Sequence, residues 1–264
     1  GNHRLLCGDS TNVQHVEMLM GGEKADMVFT DPPYNQETEG GFKGNIGSAF
    51  AKQSKEIEHL CEFKPEMFLS VLPVVFEKNK LNAYCFCNKD LVVDYLKWAR
   101  DCGYSYNILI WKKPSAIPIG GSYRPDVEYL LVFRKSGIFN GAISDVNYSK
   151  VLEHKREIDK VHPTMKPVEM IENQLKIASN NNSVVMDFFL GSGSTLIACH
   201  KTNRRCFSME IDPHYVDVAI KRWMDYSGEE AYLENSDGSK TPYSKVVPQL
   251  GKEFLEKSSK AESI

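Results

Sequence analysis

Several features are missing from this chain, and each absence narrows what the protein can be. No apolar run in its 264 residues approaches the roughly 20 residues of a membrane-spanning helix, and no signal peptide is visible. We therefore expect a cytoplasmic protein without a membrane partner. Among the seven cysteines, Cys85 and Cys87 are closely spaced, but no second Cys or His pair stands at metal-ligand spacing. We expect no metal site and interpret the cysteines as buried reduced thiols.

A glycine turn is present, but two well-known versions of it are excluded by their missing residues. The segment 183–189 is predicted to be a buried strand, and 194–203 has helical spacing, with Gly191-Ser-Gly193 between them. A phosphate-binding P-loop requires a lysine after its last glycine, where this chain has Ser194 and Thr195. The dinucleotide fingerprint requires a third glycine, where this chain has Leu196. What remains is a nucleoside-binding turn at a helix N-terminus.

An acidic residue follows the glycine turn at an informative distance. The segment 205–209 is predicted to be the next strand, and Glu210 ends it, 19 residues after Gly191. A carboxylate at that distance commonly accepts hydrogen bonds from ribose hydroxyls. The alternative is a solvated acid at the end of a strand. Beside this glycine turn, we favour the ribose-binding interpretation.

The segment Asp31-Pro-Pro-Tyr34 directly follows a short apolar run at 25–30 that is predicted to be a buried strand. Asp31 can accept a hydrogen bond from an amine, and the Pro32 carbonyl can accept a second, because a proline pair has no N–H to occupy it locally. Tyr34 offers a flat face for stacking. Two acceptors and a stacking face suit the exocyclic amine of a nucleobase. A simple turn with an incidental tyrosine is the alternative.

Predicted strands and helices alternate along the chain, which favours an α/β fold with a doubly wound, mostly parallel sheet. Helices are predicted at 65–78, with a kink at Pro73, at 89–102 and at 167–178, and a strand at 81–87. Strands at 104–111 and 127–133 follow one another with little helix between them. That arrangement predicts one antiparallel strand.

Asp31-Pro-Pro-Tyr34, followed by Phe189-Leu-Gly-Ser-Gly-Ser-Thr195, resembles the amino-group DNA methyltransferases that depend on S-adenosylmethionine. The order, with the catalytic motif first, is similar to the permuted beta group of that family. Leu5-Leu-Cys-Gly-Asp-Ser-Thr11 resembles the strand whose aspartate, here Asp9, contacts the adenine of the cofactor. The segment 162–168 resembles the one that holds the cofactor's methionine end. The resemblance covers roughly residues 3–225 and implies a Rossmann-like methyltransferase fold.

The resemblance implies S-adenosyl-L-methionine as cofactor, double-stranded DNA as substrate and a prokaryotic or phage source. The implied reaction is methylation of the adenine N6 amine after base flipping, with restriction-modification as one setting. Asp31, Pro32 and Tyr34 are the implied catalytic residues. Lys166 is the best candidate for the cofactor carboxylate. The implied cofactor-binding residues are Asp9, His162, Thr164, Lys166, Phe189, Gly191, Gly193, Thr195 and Glu210.

Three alternatives stay open. The same motif serves the N4 amine of cytosine, although Asp rather than Ser at position 31 favours adenine. An RNA or protein amide methyltransferase is a second alternative, but those relatives usually begin the motif with Asn and place the glycine motif first. A non-catalytic nucleic-acid-binding subunit is the third, and the intact Asp31, Tyr34 and glycine turn count against it.

The distribution of charge, rather than the net charge of −3, bears on DNA binding. Residues 111–160 carry nine Lys and Arg against six Asp and Glu. The overlapping segment 135–161 is the candidate target-recognition insert. That insert is short, so we expect help from a mobile, glycine-rich loop at 35–60, or from a homodimer or an additional DNA-binding domain or subunit. The methyltransferase domain is predicted at 1–226, and 227–264 is predicted to be a polar extension.

Overall fold

The computed structural model describes residues 2–33, 65–113, 123–124, 126–141, 148–154 and 165–246. The chain divides into two compact units, Gly1–Ala219 and Ile220–Ile264. No helix in the described ranges is long and apolar enough to cross a membrane. The six described cysteines are free; Cys85, Cys87, Cys199 and Cys206 are buried, whereas Cys7 and Cys102 are exposed.

An eight-stranded sheet forms the centre of the first unit. Its strands in chain order are β1 (Arg4–Cys7), β2 (Met27–Thr30), β3 (Leu81–Cys87), β4 (Ser105–Lys112), β5 (Val127–Lys135), β6 (Val151–Glu153), β7 (Val184–Asp187) and β8 (Arg205–Glu210). Their spatial order is β1-β8-β7-β2-β3-β5-β4-β6. Only β5 among these strands runs against its neighbours, being antiparallel to β3 and β4. The predicted α/β fold with one antiparallel strand is confirmed.

Helices connect the strands. They are α1 (Val13–Met20), α2 (Pro65–Val71), α3 (Val92–Asp101), α4 (Val168–Ala178), α5 (Ser194–Lys201) and α6 (Pro213–Ser227). A 3-10 turn at Leu72–Val75 follows α2 and contains Pro73, which confirms the predicted interruption at that proline. Helix α3 begins three residues later than predicted, because the Asn88 side chain accepts a hydrogen bond from the Leu91 N–H and forms a turn first.

The central strands are buried on both faces because helices cover the sheet. Every residue of β2, β3 and β7 is buried, which explains why these strands read as continuous apolar runs rather than as alternating patterns. The aromatic ring of Phe68 on α2 lies against Phe188, with 5.1 Å between the ring centroids. This packing holds the ends of β2 and β7 in the core and so fixes the positions of the residues that follow them, Asp31 and Phe188.

The segments assigned to DNA recognition and to the polar extension contain regular structure. Residues 151–153 of the candidate recognition insert form β6, the edge strand of the main sheet, parallel to β4. In the second unit, β9 (Tyr232–Glu234) and β10 (Lys240–Pro242) form an antiparallel hairpin, and α7 (Tyr243–Val246) follows it. The proposed loop at 35–60 lies outside the described residues.

Candidate active site at the carboxyl edge of the sheet

A cavity of about 320 Å³ opens at the carboxyl ends of β2 and β7. These adjacent strands are where the strand order reverses, since the chain continues to β3 on one side and to β8 on the other. Such switch points are the usual ligand sites of open α/β sheets. The lining comprises Phe29, Thr30, Asp31, Pro33, Phe86, Met165, Lys166, Ile171, Asp187, Phe189, Leu190, Gly191, Ser192, Ser194, Thr195, Glu210, Ile211, Asp212 and Tyr215. The two motifs predicted from sequence therefore meet at one cavity.

Asp31 is the first residue after β2, and its two carboxylate oxygens have different surroundings. Oδ2 forms a short ion pair with the Lys166 ammonium. Oδ1 is buried and has no hydrogen-bond partner among the residues that the structure describes. Burial raises the pKa of the Asp31 carboxyl, and Lys166 opposes that rise. A carboxylate with a raised pKa is a better hydrogen-bond acceptor, and the Asp31 residue lines the cavity.

Lys166 belongs to a chain of alternating charges that extends away from the cavity. Its ammonium lies 3.3 Å from Glu128 Oε2 and 4.6 Å above the centre of the Phe86 ring. Glu128 Oε1 in turn accepts a hydrogen bond from the Lys113 ammonium at 3.1 Å. Burial alone would raise the pKa of Glu128, but Lys166 and Lys113 outweigh it and lower that pKa. Glu128 therefore remains a carboxylate between two ammonium groups.

A buried hydrogen bond ties the end of β2 to the end of β7. The Thr30 hydroxyl donates to Asp187 Oδ1 at 2.8 Å, and the Phe188 N–H donates to the same hydroxyl at 3.2 Å. Asp187 also accepts from the Phe189 N–H and from the Thr195 side chain. Burial raises the pKa of Asp187 to about 6, although these hydrogen bonds oppose the rise. The residue before Asp31 and the glycine turn are thus fixed to one carboxyl group.

The glycine turn has the backbone that its sequence predicts. Gly191 and Gly193 have φ values of 53° and 87°, a region that other residues enter at a cost. The Gly191 N–H donates to Glu210 Oε2 at 2.8 Å, and the Asp212 N–H donates to Oε1 at 3.0 Å. Burial raises the pKa of Glu210, and these N–H groups oppose the rise. Glu210 therefore both shapes the turn and faces the cavity.

The structure brings six of the predicted site residues to the cavity: Asp31, Lys166, Phe189, Gly191, Thr195 and Glu210. Three others do not line it: Asp9, Pro32 and Gly193. Tyr34, His162 and Thr164 lie outside the described residues. Asp9 sits one residue beyond Gly8, whose N–H donates to the Glu210 carbonyl; the Asp9 carboxylate accepts from the Thr11 N–H and hydroxyl, each at 2.8 Å. Pro32 is buried, and its neighbour Pro33 lines the cavity.

Gly193 has a packing role that the sequence did not reveal. A Cβ atom at this position would lie 3.2 Å from the Cβ of Ala219, closer than an ordinary contact, so glycine lets the turn approach Ala219 without displacing it. Thr30, Glu128 and Asp187 are site residues that the sequence analysis missed. Asp187 stood in the strand before the glycine turn, where a buried aspartate was a visible signal. Glu128 stood in an apolar strand without any motif.

The basic character of residues 111–160 is only partly available to a ligand. Lys113 is held in the internal ion pair with Glu128, with 15% of its side chain exposed. The Arg134 guanidinium packs 4.8 Å from the centre of the Phe139 ring and donates to the Gly137 carbonyl at 3.0 Å. Lys150, in contrast, is exposed. Lys155, Arg156 and Lys160 lie outside the described residues.

Comparison with known proteins identifies the family. The family described as DNA methylase matches residues 25–221, more than half of the chain and the whole cavity lining. The chain therefore belongs to the amino-group DNA methyltransferases. The type II methyltransferase M.BglII of Bacillus subtilis is 34% identical over 97 residues, which are 37% of this chain and 26% of that protein. The chain thus matches only about a quarter of that relative's length.

Solved structures agree with this assignment at the level of the fold. The complex of M1.HpyAVI with SAM has a TM-score of 0.61 and 22% identity, and the match covers 83% of this chain and 98% of that chain. The cytosine-N4-specific PvuII DNA methyltransferase has a TM-score of 0.60 and 16% identity, over 84% and 86% of the two chains. The predicted methyltransferase fold is confirmed.

Proposed function

We propose that this protein methylates the exocyclic N6 amine of adenine in double-stranded DNA, with S-adenosyl-L-methionine as methyl donor. The observation that carries the proposal is Asp31, which lines the cavity and has one buried carboxylate oxygen, Oδ1, without a partner within the described part of the chain. A buried acceptor without a partner costs free energy. An amine N–H from a ligand would satisfy it.

The residues at the other end of the cavity fit the cofactor. A Cβ atom at Gly191 would meet no atom within 4 Å, so the backbone there presents open space to a ligand. Glu210 and Phe189 lie beside it in the lining, and each Glu210 oxygen keeps a second lone pair for a hydroxyl donor. Phe189, Gly191, Thr195 and Glu210 would hold the nucleoside. Asp9 would assist at the adenine, and Lys166, His162 and Thr164 would lie toward the methionine end.

The chain's own residues act on the target amine by orienting it. When bound, the cofactor supplies a methyl group on a sulfonium. The amine of adenine is a poor nucleophile because its lone pair is delocalised into the ring. Asp31 Oδ1 and the Pro32 carbonyl accept the two N–H groups and draw them out of the ring plane, which localises that lone pair. Tyr34 stacks on the flipped base. Positioning is the main catalytic contribution.

Methylation of the cytosine N4 amine is the second candidate, and the fold match to the cytosine-N4-specific PvuII enzyme is the observation that favours it. Both bases present an amidine-like exocyclic nitrogen that would satisfy the same acceptors. Asp31 at the head of the motif favours adenine in the family that this chain resembles. The type II relative supports a role in restriction-modification.

Contacts to DNA would come from Lys150 and from the segments 35–60 and 135–161.

Label transfer tests the proposal. The full chain is incubated with methyl-labelled S-adenosylmethionine and, separately, with unmethylated genomic DNA, RNA and a protein mixture, and the labelled DNA is digested to nucleosides. We expect the label in N6-methyladenine. Label in N4-methylcytosine would replace adenine by the second candidate. Label only in RNA or protein, or in no acceptor, would refute DNA methylation.

Base flipping is tested with the same assay on oligonucleotides, once a methylated site is known from sequencing the product. Tyr34→Ala should lose activity on a paired target and recover part of it on a mismatched one, since stacking is worth ~1–3 kcal/mol and an unpaired base needs less stabilisation. Equal losses on the two targets would contradict the stacking role.

A further inference from the structure

Glu128, a carboxylate outside both sequence motifs, is linked to the proposed catalytic residue Asp31 by one lysine, Lys166, which contacts both side chains. Glu128 stands at the second position of β5 and pairs with Trp111 across the sheet. Since side chains alternate along a strand, Lys113 falls on the same face as Trp111, within reach of Glu128. On its other side, Glu128 contacts Lys166, which lies just before α4. The antiparallel strand β5 therefore links Lys113, at the end of β4, to Lys166 and Asp31, which lie elsewhere in the chain.

This cluster is protected from water, in contrast with a neighbouring pair of the same composition. The side chains of Lys166, Glu128 and Lys113 are 9%, 16% and 15% exposed. Lys112 and Glu153 form an ion pair at 3.9 Å, but their side chains are 55% and 72% exposed. Surface pairs contribute little. Within a shielded cluster, charges act on one another more strongly. The charge of Glu128 therefore affects the pKa of Asp31.

We propose that Glu128 is a positioning residue that, together with Lys113, holds the Lys166 ammonium against Asp31 Oδ2 and so fixes the Asp31 carboxylate at the cavity, where it would accept from the substrate amine. Lys166 is anchored on two sides, by Asp31 and by Glu128. With only one ion pair, its flexible stem would be free to turn toward the cavity. The assignment of a substrate amine to Asp31 rests on the proposed function. The contacts among the four side chains do not.

The contacts that run from Lys113 through Glu128 and Lys166 to Asp31, here called the relay, can be tested by measuring the pKa of Asp31. Glu128 raises the pKa of Asp31, and Lys166 lowers it. Lys166 has the larger of these two effects, so its displacement in Glu128→Gln or in Lys113→Gln should raise the pKa of Asp31. Removal of the Glu128 charge with Lys166 still in place would instead lower that pKa. Within the described ranges, the other titratable groups that interact with Asp31 are Asp187 on β7, Cys85 and Cys87 on β3 and Tyr95 on α3. Burial raises the pKa of each of them, and none is changed in these variants.

The experiment has two independent readouts on the full-length chain. The first is ¹³C NMR titration of the Asp31 carboxyl, assigned with Asp31→Asn, which needs neither cofactor nor DNA. The second is the pH profile of kcat for methyl transfer to unmethylated genomic DNA. Four proteins are compared: the parent, Glu128→Gln, Lys113→Gln and the matched control Glu153→Gln, which removes the exposed carboxylate.

We expect the Asp31 pKa and the acid limb of kcat to move to higher pH in both Glu128→Gln and Lys113→Gln. Glu128→Gln should also lower kcat about tenfold, since small displacements of a positioned group carry large costs. Glu128→Asp, which keeps the charge, should restore the parent acid limb. Glu153→Gln should match the parent throughout.

Three results would overturn the relay. One is a Glu128→Gln variant whose Asp31 pKa and kcat match those of Glu153→Gln. Another is a loss of kcat that follows only a loss of thermal stability, with an unmoved acid limb. The third is an Asp31 pKa that falls in Glu128→Gln, because Lys166 would then keep its place without Glu128. A parent that transfers no methyl group refutes the proposed function instead, and the NMR titration still decides the relay.

Discussion

Replacing Asp187 with asparagine tests the buried link between the ends of β2 and β7. Asp187 is 2% exposed, and burial raises the pKa of its carboxyl from the usual 3.8 to about 6. The folded state therefore holds this proton more tightly than the unfolded state does. The resulting stabilisation is complete below pH 3.8 and is lost as the pH rises through 6. At about 1.4 kcal/mol per pKa unit, it amounts to about 3 kcal/mol.

About 2 kcal/mol of this contribution is lost between pH 4.5 and 7.5, by the linkage relation. Asp187→Asn carries no titrating group but keeps the oxygen that accepts from the Thr30 hydroxyl and the Phe189 N–H. The unfolding free energy of the parent minus that of the variant should therefore fall by about 2 kcal/mol across this range. Urea unfolding followed by circular dichroism measures both proteins at the two pH values, and their other titrating groups cancel.

A difference between parent and variant that is the same at pH 4.5 and 7.5 would refute the raised pKa and the reasoning from burial. Thr30→Val provides a second arm. The Thr30 hydroxyl donates to Asp187 Oδ1 at 2.8 Å, and this bond lowers the pKa of Asp187. Its removal should move the window in which stability is lost to higher pH.

The glycine turn, the ribose carboxylate and the DNA surface give three further predictions. Gly193→Ala should lower the unfolding free energy by at least about 1 kcal/mol, because it adds a Cβ close to Ala219 at positive φ. Gly191→Ala should chiefly weaken cofactor binding. Urea unfolding and calorimetry separate the two effects, and identical behaviour of the two variants would contradict the assignment. Glu210→Ala should raise the cofactor Kd at least about tenfold in calorimetry, and an unchanged Kd would remove Glu210 from the site. Lys150→Ala should lower the slope of log DNA affinity against log salt by about one, and an unchanged slope would place the DNA surface elsewhere.

The centre of the sheet was predictable because its central strands β2, β3 and β7 are buried on both faces. Each of β2, β3, β7 and β8 is a short apolar run bounded by polar or turn residues, and β4 followed directly by β5 indicated the antiparallel strand. The short strand β6 was not predicted, since the three residues 151–153 contain too few positions for a periodicity. Its place in the sheet comes from pairing with β4, which is a tertiary effect.

The two ends of the site differed in how much the sequence revealed. Gly191 and Glu210 were predictable because a turn of positive φ needs glycine and the next strand ends at a fixed distance along the chain. The contact of Lys166 with Asp31 spans 135 residues and depends on where α4 packs against the sheet. Glu128 reaches the same lysine only through the register of β5. Neither relation is encoded in local spacing.

Single-turnover methyl transfer by Asp31→Asn tests the central claim most directly. Lys166 is expected to bind the amide oxygen of the new side chain, which turns its NH₂ group toward the target amine and replaces an acceptor by a donor. We predict that the rate on a DNA substrate falls at least about 100-fold, while the cofactor Kd measured by calorimetry stays within threefold of the parent. A rate within threefold of the parent would contradict the account, because the acceptor at Asp31 would then have no part in the reaction.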